Sequence, residues 1–220
     1  MTLPPFDLYL ITDPAASGGL VGSIERALAR GVPADRVAVQ LRAKDLSEAE
    51  LLAAGQHLRA ITREAGVRLL VNGPAAIAKA ISADGVQVPE GEHDLLLIRR
   101  ALGEHALIGR SCHDLAGVQS CAGVADFATL SPYYAVPGKN APLSTSMARD
   151  ICERARIPIF ALGGINKDTL VPAMASGAHG IAVIRAVFAS QDPASALLEL
   201  LASLDAARAR ASTQHGKRRG

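Results

Sequence analysis

Two adjacent glycines, Gly163 and Gly164, form the strongest candidate binding site in the sequence, because they follow directly after a short aliphatic run. Glycine leaves backbone N–H groups uncovered, so an anion can approach them closely. The next aliphatic run leads into Ile184, Arg185 and Ala186, where a short helix would add free N–H groups and its positive end. These five residues predict a phosphate-binding site. A tight turn that merely requires glycine is the alternative interpretation.

A second candidate, His113, has a side chain suited to proton transfer and follows another aliphatic run. Histidine titrates near neutral pH and can both accept and donate a proton. A histidine in this position can also be an ordinary solvated loop residue. The spacing alone leaves both interpretations open.

Cationic side chains near the second aliphatic run supply a third candidate. Strand-like alternation would place Gln40, Arg42 and Lys44 on one face, pointing into the same opening. Two cations beside a phosphate site can hold a second anionic group of a ligand. The competing interpretation pairs these cations with Asp45 or Glu48.

A scaffold must bring these residues together, and the chain contains eight short aliphatic runs, each followed by a segment with helical spacing. The runs are Leu8–Thr12, Val37–Arg42, Leu69–Asn72, Gly85–Val88, Leu107–Ser111, Asp126–Ser131, Ile157–Leu162 and Gly180–Arg185. Eight strand–helix units predict a single-domain α/β protein with the (β/α)8 TIM-barrel fold, whose active site lies at the C-terminal ends of the strands. An open, doubly wound sheet is the alternative, but the first run is not followed by a Gly-x-Gly-x-x-Gly motif.

Several helix boundaries are also predicted. Ser47 and Glu50 have the spacing of a capping box at the start of one helix. Another helix is expected over residues 168–177, with Pro172 near its first turn and Gly177 at its C-terminal end. The last helix is expected over residues 193–210.

Composition limits the class of protein. The chain has 220 residues, of which 49% are hydrophobic and 3% aromatic, so a core of Ala, Val, Leu and Ile is expected. No segment reaches the roughly 18 apolar residues of a membrane helix, and no signal peptide is evident. Cys112, Cys121 and Cys152 lack metal-binding spacing and are interpreted as reduced thiols. We therefore expect a cytoplasmic protein with no membrane partner.

The net charge of +2 is unevenly distributed, because the final 13 residues carry five cations and no acid, which leaves the remainder near −3. A nucleic-acid-binding protein would carry cations on its folded body, with aromatic side chains for stacking. The sequence therefore predicts a barrel domain over residues 1–207, a basic, flexible tail over residues 208–220, and no nucleic-acid partner. A functional basic arm is the alternative.

The motifs together resemble the thiamine phosphate synthase/TenI superfamily from Tyr9 to Phe188. The matching segments are Tyr-Leu-Ile-Thr-Asp13, Gln-Leu-Arg42-x-Lys44, Ala-Asp-Gly-Val86, Ile-Gly-Arg-Ser-x-His113, Ala125-Asp-Phe, Lys139, Ala-Leu-Gly-Gly-Ile165 and Gly-Ile-Ala-Val183. The resemblance implies a TIM barrel, a small phosphorylated thiazole substrate and a role in thiamine biosynthesis. It also implies that the substrate is bound by Gln40, Arg42, Lys44, Asn72, Gln87, Ser111 and Lys139.

The two branches of this superfamily differ in chemistry. Thiamine phosphate synthases join a pyrimidine diphosphate to a thiazole phosphate, with Mg²⁺ held by acidic residues. Where they carry a metal-binding aspartate, this chain has Gly73, directly after Asn72. Mg²⁺ prefers carboxylate and phosphate oxygens, and Glu92 would be the single carboxylate available to it. The segment Ser131–Lys139 also lacks two threonines of the synthase motif.

The TenI-type thiazole tautomerases are more similar at Asn72-Gly73, Val86-Gln-x-Pro89 and Gly109-Arg-Ser-x-His113. In that branch the histidine matching His113 is the proposed proton shuttle. The reaction aromatises a carboxylated thiazole phosphate without metal or cofactor, and Arg42 and Lys44 would face the substrate carboxylate. The resemblance therefore favours a cofactor-independent tautomerase.

Three alternatives remain open. The first is a Mg²⁺-dependent thiamine phosphate synthase, the second a non-catalytic paralogue that binds thiamine-related phosphates, and the third an unrelated phosphate-binding barrel isomerase. Apart from Lys139, the segment Tyr133–Pro142 fits neither branch well, so substrate identity is the least determined feature. A homo-oligomer is compatible with the sequence, although no interface is identified.

Overall fold

The computed structural model describes residues 3–91, 94–138 and 140–217, with side chains as far as residue 211. In these ranges eight parallel strands form a closed barrel in sequence order, and the last strand pairs with the first. The strands are β1 (Leu8–Ile11), β2 (Val37–Leu41), β3 (Arg68–Asn72), β4 (Gly85–Val88), β5 (Leu107–Cys112), β6 (Phe127–Leu130), β7 (Ile159–Leu162) and β8 (Gly180–Val183). The helices are α1 (Gly19–Leu28), α2 (Glu48–Glu64), α3 (Ala75–Ala80), α4 (Leu95–Leu102), α5 (Leu115–Cys121), α6 (Thr145–Arg154), α7 (Leu170–Met174), α8 (Arg185–Phe188) and α9 (Pro193–Lys217). The predicted (β/α)8 barrel is confirmed.

The strand ends agree with the aliphatic runs to within two residues. β7 begins at Ile159 rather than Ile157, because Pro158 has no N–H to donate to a neighbouring strand. Its carbonyl still accepts a hydrogen bond from the Ala128 amide at 2.9 Å. β8 ends two residues earlier than predicted, since Arg185 already belongs to α8.

Side chains along the strands alternate between two separate cores. Aliphatic side chains on the outward faces pack against the helices. The inward faces contribute a second cluster that contains Phe6, Tyr9, Phe127 and Phe160, with ring centroids 5.0 to 6.2 Å apart. The expectation of an entirely aliphatic core is therefore wrong for the barrel interior, where four of the seven aromatic residues are concentrated.

The predicted capping box opens α2. The Ser47 hydroxyl accepts a hydrogen bond from the Glu50 amide, and the Glu50 carboxylate accepts one from the Ser47 amide at 2.9 Å. The Ser47 hydroxyl also donates to the Glu50 carboxylate at 2.6 Å, and this bond, followed by the one from the amide, lowers the pKa of Glu50. α7 is shorter than predicted: it begins at Leu170, and Gly177 lies two residues beyond its C-cap, Ala175, with a φ angle of +97°. In the described ranges, the helices lack the length and apolar character needed to cross a membrane.

An aspartate stands immediately before each of β1, β4 and β6, at the N-terminal end of the barrel. Asp84 accepts a hydrogen bond from the Leu69 amide at 2.8 Å and pairs with Arg59 at 2.7 Å. Asp126 makes the equivalent contacts to β5 and α4. Asp84 therefore joins β3 and β4 to α2, and Asp126 joins β5 and β6 to α4.

Asp7, the aspartate before β1, is buried and joins distant parts of the chain. It pairs with Arg36 at 2.8 Å and also with Arg208 of α9. Because α9 continues to Lys217, the predicted boundary between domain and tail falls inside a helix, and Arg208 contributes to the folded barrel. The end of the predicted tail, 218–220, lies outside the described residues.

Candidate functional site

A cavity of about 400 Å³ lies at the C-terminal ends of β7 and β8, on the face where TIM-barrel enzymes bind their substrates. All the residues predicted to bind phosphate line it, namely Gly163, Gly164, Ile184, Arg185 and Ala186. Val136, Ile165 and Asn166 also line it and were not predicted to bind phosphate. The structure therefore brings the two predicted loops together around one space.

The backbone amides of this cavity are available to a ligand. In the described part of the chain, no backbone carbonyl accepts a hydrogen bond from the N–H groups of Gly164, Ile165, Arg185 or Ala186. The last two residues begin α8, where N–H groups have no acceptor within the helix. An anion in the cavity would satisfy such donors.

Packing also requires the two glycines. Gly163 and Gly164 have φ angles of +98° and +67°, in the region that favours glycine. A Cβ atom on Gly164 would lie 2.6 Å from the Cβ atom of Tyr134, and one on Gly163 would lie 3.0 Å from Pro132. The tight-turn interpretation is therefore supported as well. It does not compete with anion binding, because the turn leaves the amides unbonded.

His113 follows β5 at the same end of the barrel, and its side chain is 46% exposed. Its Nδ1 atom lies 2.6 Å from the backbone carbonyl oxygen of Ser131, which follows β6. Its Nε2 atom lies 3.6 Å from a carboxylate oxygen of Glu90, which follows β4. The imidazole is thus held between two neighbouring loops. Glu90 was given no role from the sequence, because nothing in a linear motif connects it to His113.

A buried, uncharged polar group forms the floor beneath the opening. Gln87 donates hydrogen bonds from Nε2 to the hydroxyls of Ser111 at 3.0 Å and Thr129 at 3.2 Å. In the described structure the Oε1 atom of Gln87 has no hydrogen-bond partner, and Gln40 is also buried. Thr129 was not predicted, because it lies inside β6 rather than at its end. The Gln87 amide can orient a polar substrate ring by hydrogen bonding, and it carries no charge itself.

The cations near β2 do not share one strand face. β2 ends at Leu41, so alternation places Gln40 inside the barrel but does not extend to Lys44. Thr12 fixes the Arg42 backbone, because its hydroxyl accepts from the Arg42 amide at 2.8 Å and donates to the carbonyl at 3.0 Å. Among the described residues, neither cation forms an ion pair. The charge-pair interpretation is therefore not supported.

Few of the described side chains near the end of β3 could serve as metal ligands. Asn72 ends β3 half-buried, and Gly73 follows it without a side chain. The predicted substrate residue Lys139 and the possible metal ligand Glu92 lie outside the described residues. In the ranges that are described, no group of three His, Cys, Asp or Glu side chains is arranged to hold a metal ion.

The loop between β6 and α6 reaches from His113 to the phosphate cavity. Its first residue, Ser131, contacts His113, and Val136 farther along lines the cavity. The Tyr134 hydroxyl fastens this loop by donating a hydrogen bond at 3.0 Å to the carbonyl that precedes α7. Burial raises the pKa of Tyr134, which keeps its hydroxyl protonated as a donor.

Comparison with known proteins identifies the family. The model of the TMP-TENI family, described as thiamine monophosphate synthase, matches residues 8–187. The chain belongs to this family. The match runs from the first strand to the short helix beside the cavity, so both His113 and the phosphate cavity lie within it.

Individual relatives match along the same length. A putative thiamine-phosphate synthase of Geobacter sulfurreducens is 42% identical over 89% of this chain and 94% of its own length. A thiamine-phosphate synthase of Chloroflexus aurantiacus is 36% identical over 89% of this chain and 91% of its own length. The chain spans only 56% of a third relative, from Synechococcus, that is 38% identical.

Solved structures agree with the barrel. The thiamine phosphate pyrophosphorylase of Pyrococcus furiosus superposes with a TM-score of 0.81 at 29% identity, covering 93% of this chain and 98% of that one. A 3-hexulose-6-phosphate synthase, 19% identical with a TM-score of 0.63 over 90% of this chain and 99% of that one, shows the fold alone. The expected superfamily is confirmed, whereas the TenI-type branch is not singled out, because the relatives carry synthase names.

Proposed function

We propose that the protein is a thiamine-phosphate synthase. In this reaction the ring nitrogen of a thiazole phosphate forms a bond to the methylene carbon of a hydroxymethylpyrimidine diphosphate. The carbon–oxygen bond to the diphosphate breaks, and pyrophosphate leaves with the electron pair. The observation that carries the proposal is that relatives bearing this name share 42% and 36% identity over nearly the whole barrel.

The arrangement of charge supports a reaction between two phosphorylated substrates. The cavity beside Gly164 offers unbonded amides for one phosphate. Arg42 and Lys44 follow β2, which only β1 separates from β8; they have no carboxylate partner among the described residues and are available to a diphosphate. The polar floor at Gln87 would lie beneath the two rings.

The described residues do not fit a Mg²⁺ site of the synthase type. Gly73 stands where a carboxylate would be needed, and Glu90 faces His113 instead. Mg²⁺ binds through carboxylates and substrate phosphates, so we assign no step of the reaction to the ion. From the sequence, a tautomerase is predicted to need no cofactor and a synthase to need Mg²⁺, and both statements stay predictions.

The direct test is incubation of the purified protein with both precursors, with and without Mg²⁺, followed by chromatographic detection of thiamine phosphate. The proposal expects product that depends on both precursors and is strongly reduced in an Arg42→Gln variant. The matched control is Arg156→Gln, an exposed arginine before β7 that should leave the rate unchanged. Absence of thiamine phosphate under all these conditions contradicts the proposal.

A tautomerase acting on a carboxylated thiazole phosphate is the second candidate, and the geometry of His113 favours it. The ring has one nitrogen fixed by a carbonyl and the other directed at a carboxylate, as proton transfer between two positions of a substrate requires. This reaction needs no metal carboxylates, which agrees with Gly73. The pyrimidine diphosphate would then have no place in the reaction.

One pair of assays separates the candidates. Aromatisation of the carboxylated thiazole phosphate, followed by its ultraviolet absorbance, without formation of thiamine phosphate would establish the tautomerase and reject the synthase. Tight binding of thiazole phosphate with turnover in neither assay would instead indicate a non-catalytic binding protein.

A further inference from the structure

The hydrogen bond at Nδ1 determines the protonation pattern of the His113 ring. The Ser131 carbonyl oxygen, 2.6 Å away, can only accept a hydrogen bond, so Nδ1 carries a hydrogen. In the neutral ring the lone pair therefore lies on Nε2. Nε2 is the atom that takes up or releases a proton during a reaction.

Glu90 is the charged group that faces this atom. Its Oε2 atom lies 3.6 Å from Nε2, which is longer than a hydrogen bond but within the range of an ion pair. The two side chains are 46% and 41% exposed, so neither is sealed from solvent. Once Nε2 is protonated, the imidazolium and the carboxylate have opposite charges and can close to hydrogen-bond distance.

The neighbouring helix leaves room for this carboxylate and does not compete for it. A Cβ atom on Gly117 of α5 would lie 2.9 Å from the Glu90 Oε1 atom. The Gly117 amide itself donates to Asp114, the N-cap of α5, at 2.8 Å. Asp114 is thus engaged with its own helix, and Glu90 stays directed at the imidazole.

We propose that Glu90 is a positioning residue for His113, holding the ring with Nε2 toward the opening and pairing with the imidazolium that forms when Nε2 carries the proton. In the synthase reaction this proton passes from Nε2 to the departing diphosphate oxygen. In the tautomerase reaction it is taken from one ring position and returned to another. The inference rests on the proposed function for its kinetic test, but not for its chemical test.

The kinetic test compares Glu90→Gln with Glu153→Gln, a matched loss of one exposed carboxylate on α6. Glu90→Gln should lower kcat by about threefold to tenfold while KM stays unchanged, because an exposed ion pair acts on one charge state of the ring. Glu90→Asp should restore part of the rate, and Glu153→Gln should behave as wild type. In a His113→Gln background, Glu90→Gln should have no further effect. Equal, additive losses in both backgrounds would contradict the proposal.

The chemical test needs no substrate. Diethyl pyrocarbonate acylates an unprotonated imidazole nitrogen, here Nε2, and peptide mass spectrometry measures the rate at each histidine. In mildly acidic buffer, where much of the imidazole is protonated, Glu90→Gln should speed acylation of His113, since loss of the carboxylate that pairs with the imidazolium leaves more of the ring unprotonated, while the exposed His57 and His105 serve as internal references. An unchanged or slower rate at His113 overturns the proposal. If neither thiazole reaction is observed with wild type, the proposed function fails while this measurement still decides the role of Glu90.

Discussion

The contacts of His113 combine a fixed tautomer with an open proton-accepting atom, which is the requirement for general acid–base catalysis. A ring held at one nitrogen by a backbone carbonyl cannot flip without losing that hydrogen bond. The catalytic consequence is specific to this residue, because the phosphate cavity is lined by other side chains.

Replacement of His113 by glutamine is therefore expected to separate turnover from binding. Turnover of the thiazole phosphate substrate should fall by about 100-fold or more, whereas calorimetry should give an unchanged Kd for thiazole phosphate. His105→Gln, an exposed loop histidine, is the matched control. Wild-type turnover in the His113 variant would show that the imidazole has no part in the chemistry.

Gly164 offers a second test at the same scale. Gly164→Ala should weaken phosphate binding and destabilise the fold, because the new Cβ atom would meet Tyr134. Gly31→Ala is the control, since its φ of +66° is nearly the same and no atom lies within 4 Å of the added Cβ. The control should cost about 1 kcal/mol from backbone strain and Gly164→Ala about 1–3 kcal/mol more from overpacking. Equal unfolding free energies in urea would show that the contact is relieved at no cost.

Repeated aspartates join the elements of the barrel at its N-terminal end. Asp84 links β3, β4 and α2 through one amide and one guanidinium. Asp84→Asn keeps the shape but removes the charge, and it should lower the free energy of unfolding by about 1–3 kcal/mol, the usual cost of losing charged hydrogen bonds. Asp150→Asn, which breaks an exposed pair within α6, should change it by less than about 0.5 kcal/mol. A loss at Asp84 no larger than at Asp150 would contradict this assignment.

The elements themselves could be predicted closely from the sequence, because each strand is a short aliphatic run and most runs are bounded by polar residues, proline or glycine. The phosphate loops could be predicted for the same reason: Gly163 and Gly164 stand at the end of such a run. Contacts between units could not be predicted. Thr129 is hidden within a strand, and Glu90 meets His113 only because the barrel brings the ends of β4 and β5 together.

The composition also misled in one respect. Few aromatic residues suggested an aliphatic interior, but a closed barrel of eight strands leaves a narrow lumen that large rings fill efficiently. Phe127 and Phe160 occupy it together with Phe6 and Tyr9. Average composition carries no information on where a minority of residues is concentrated.

At the scale of the whole molecule, charged and polar groups from the first and last segments of the chain close the N-terminal end of the barrel. The His179 ring lies there, with Nε2 donating to the Phe6 carbonyl at 3.2 Å, and Asp7 and Arg208 are its charged neighbours. Burial is the main cause that lowers the pKa of His179 below its usual value of 6.5. The folded state therefore favours the neutral ring.

The sign of the resulting pH dependence follows from linkage. Below pH 6.5 the unfolded chain takes up a proton at His179 before the folded chain does, so unfolding becomes easier as the pH falls through that range. Urea unfolding at pH 7.5 and pH 5.5 should show this loss of stability, and His179→Gln should reduce the difference between the two pH values. His57→Gln, an exposed control, should leave the difference unchanged. A pH dependence identical in all three proteins would rule out His179 as its source.

The loop between β6 and α6 touches the imidazole with its first residue and borders the phosphate cavity with Val136. Occupation of the cavity and orientation of the histidine are consequently properties of one segment of backbone rather than of two independent sites. A substrate lacking its phosphate would leave the Val136 end without a ligand and would lose rate as well as affinity, although the missing group takes no part in bond making. Recognition of the distant phosphate would in this way become a condition for catalysis.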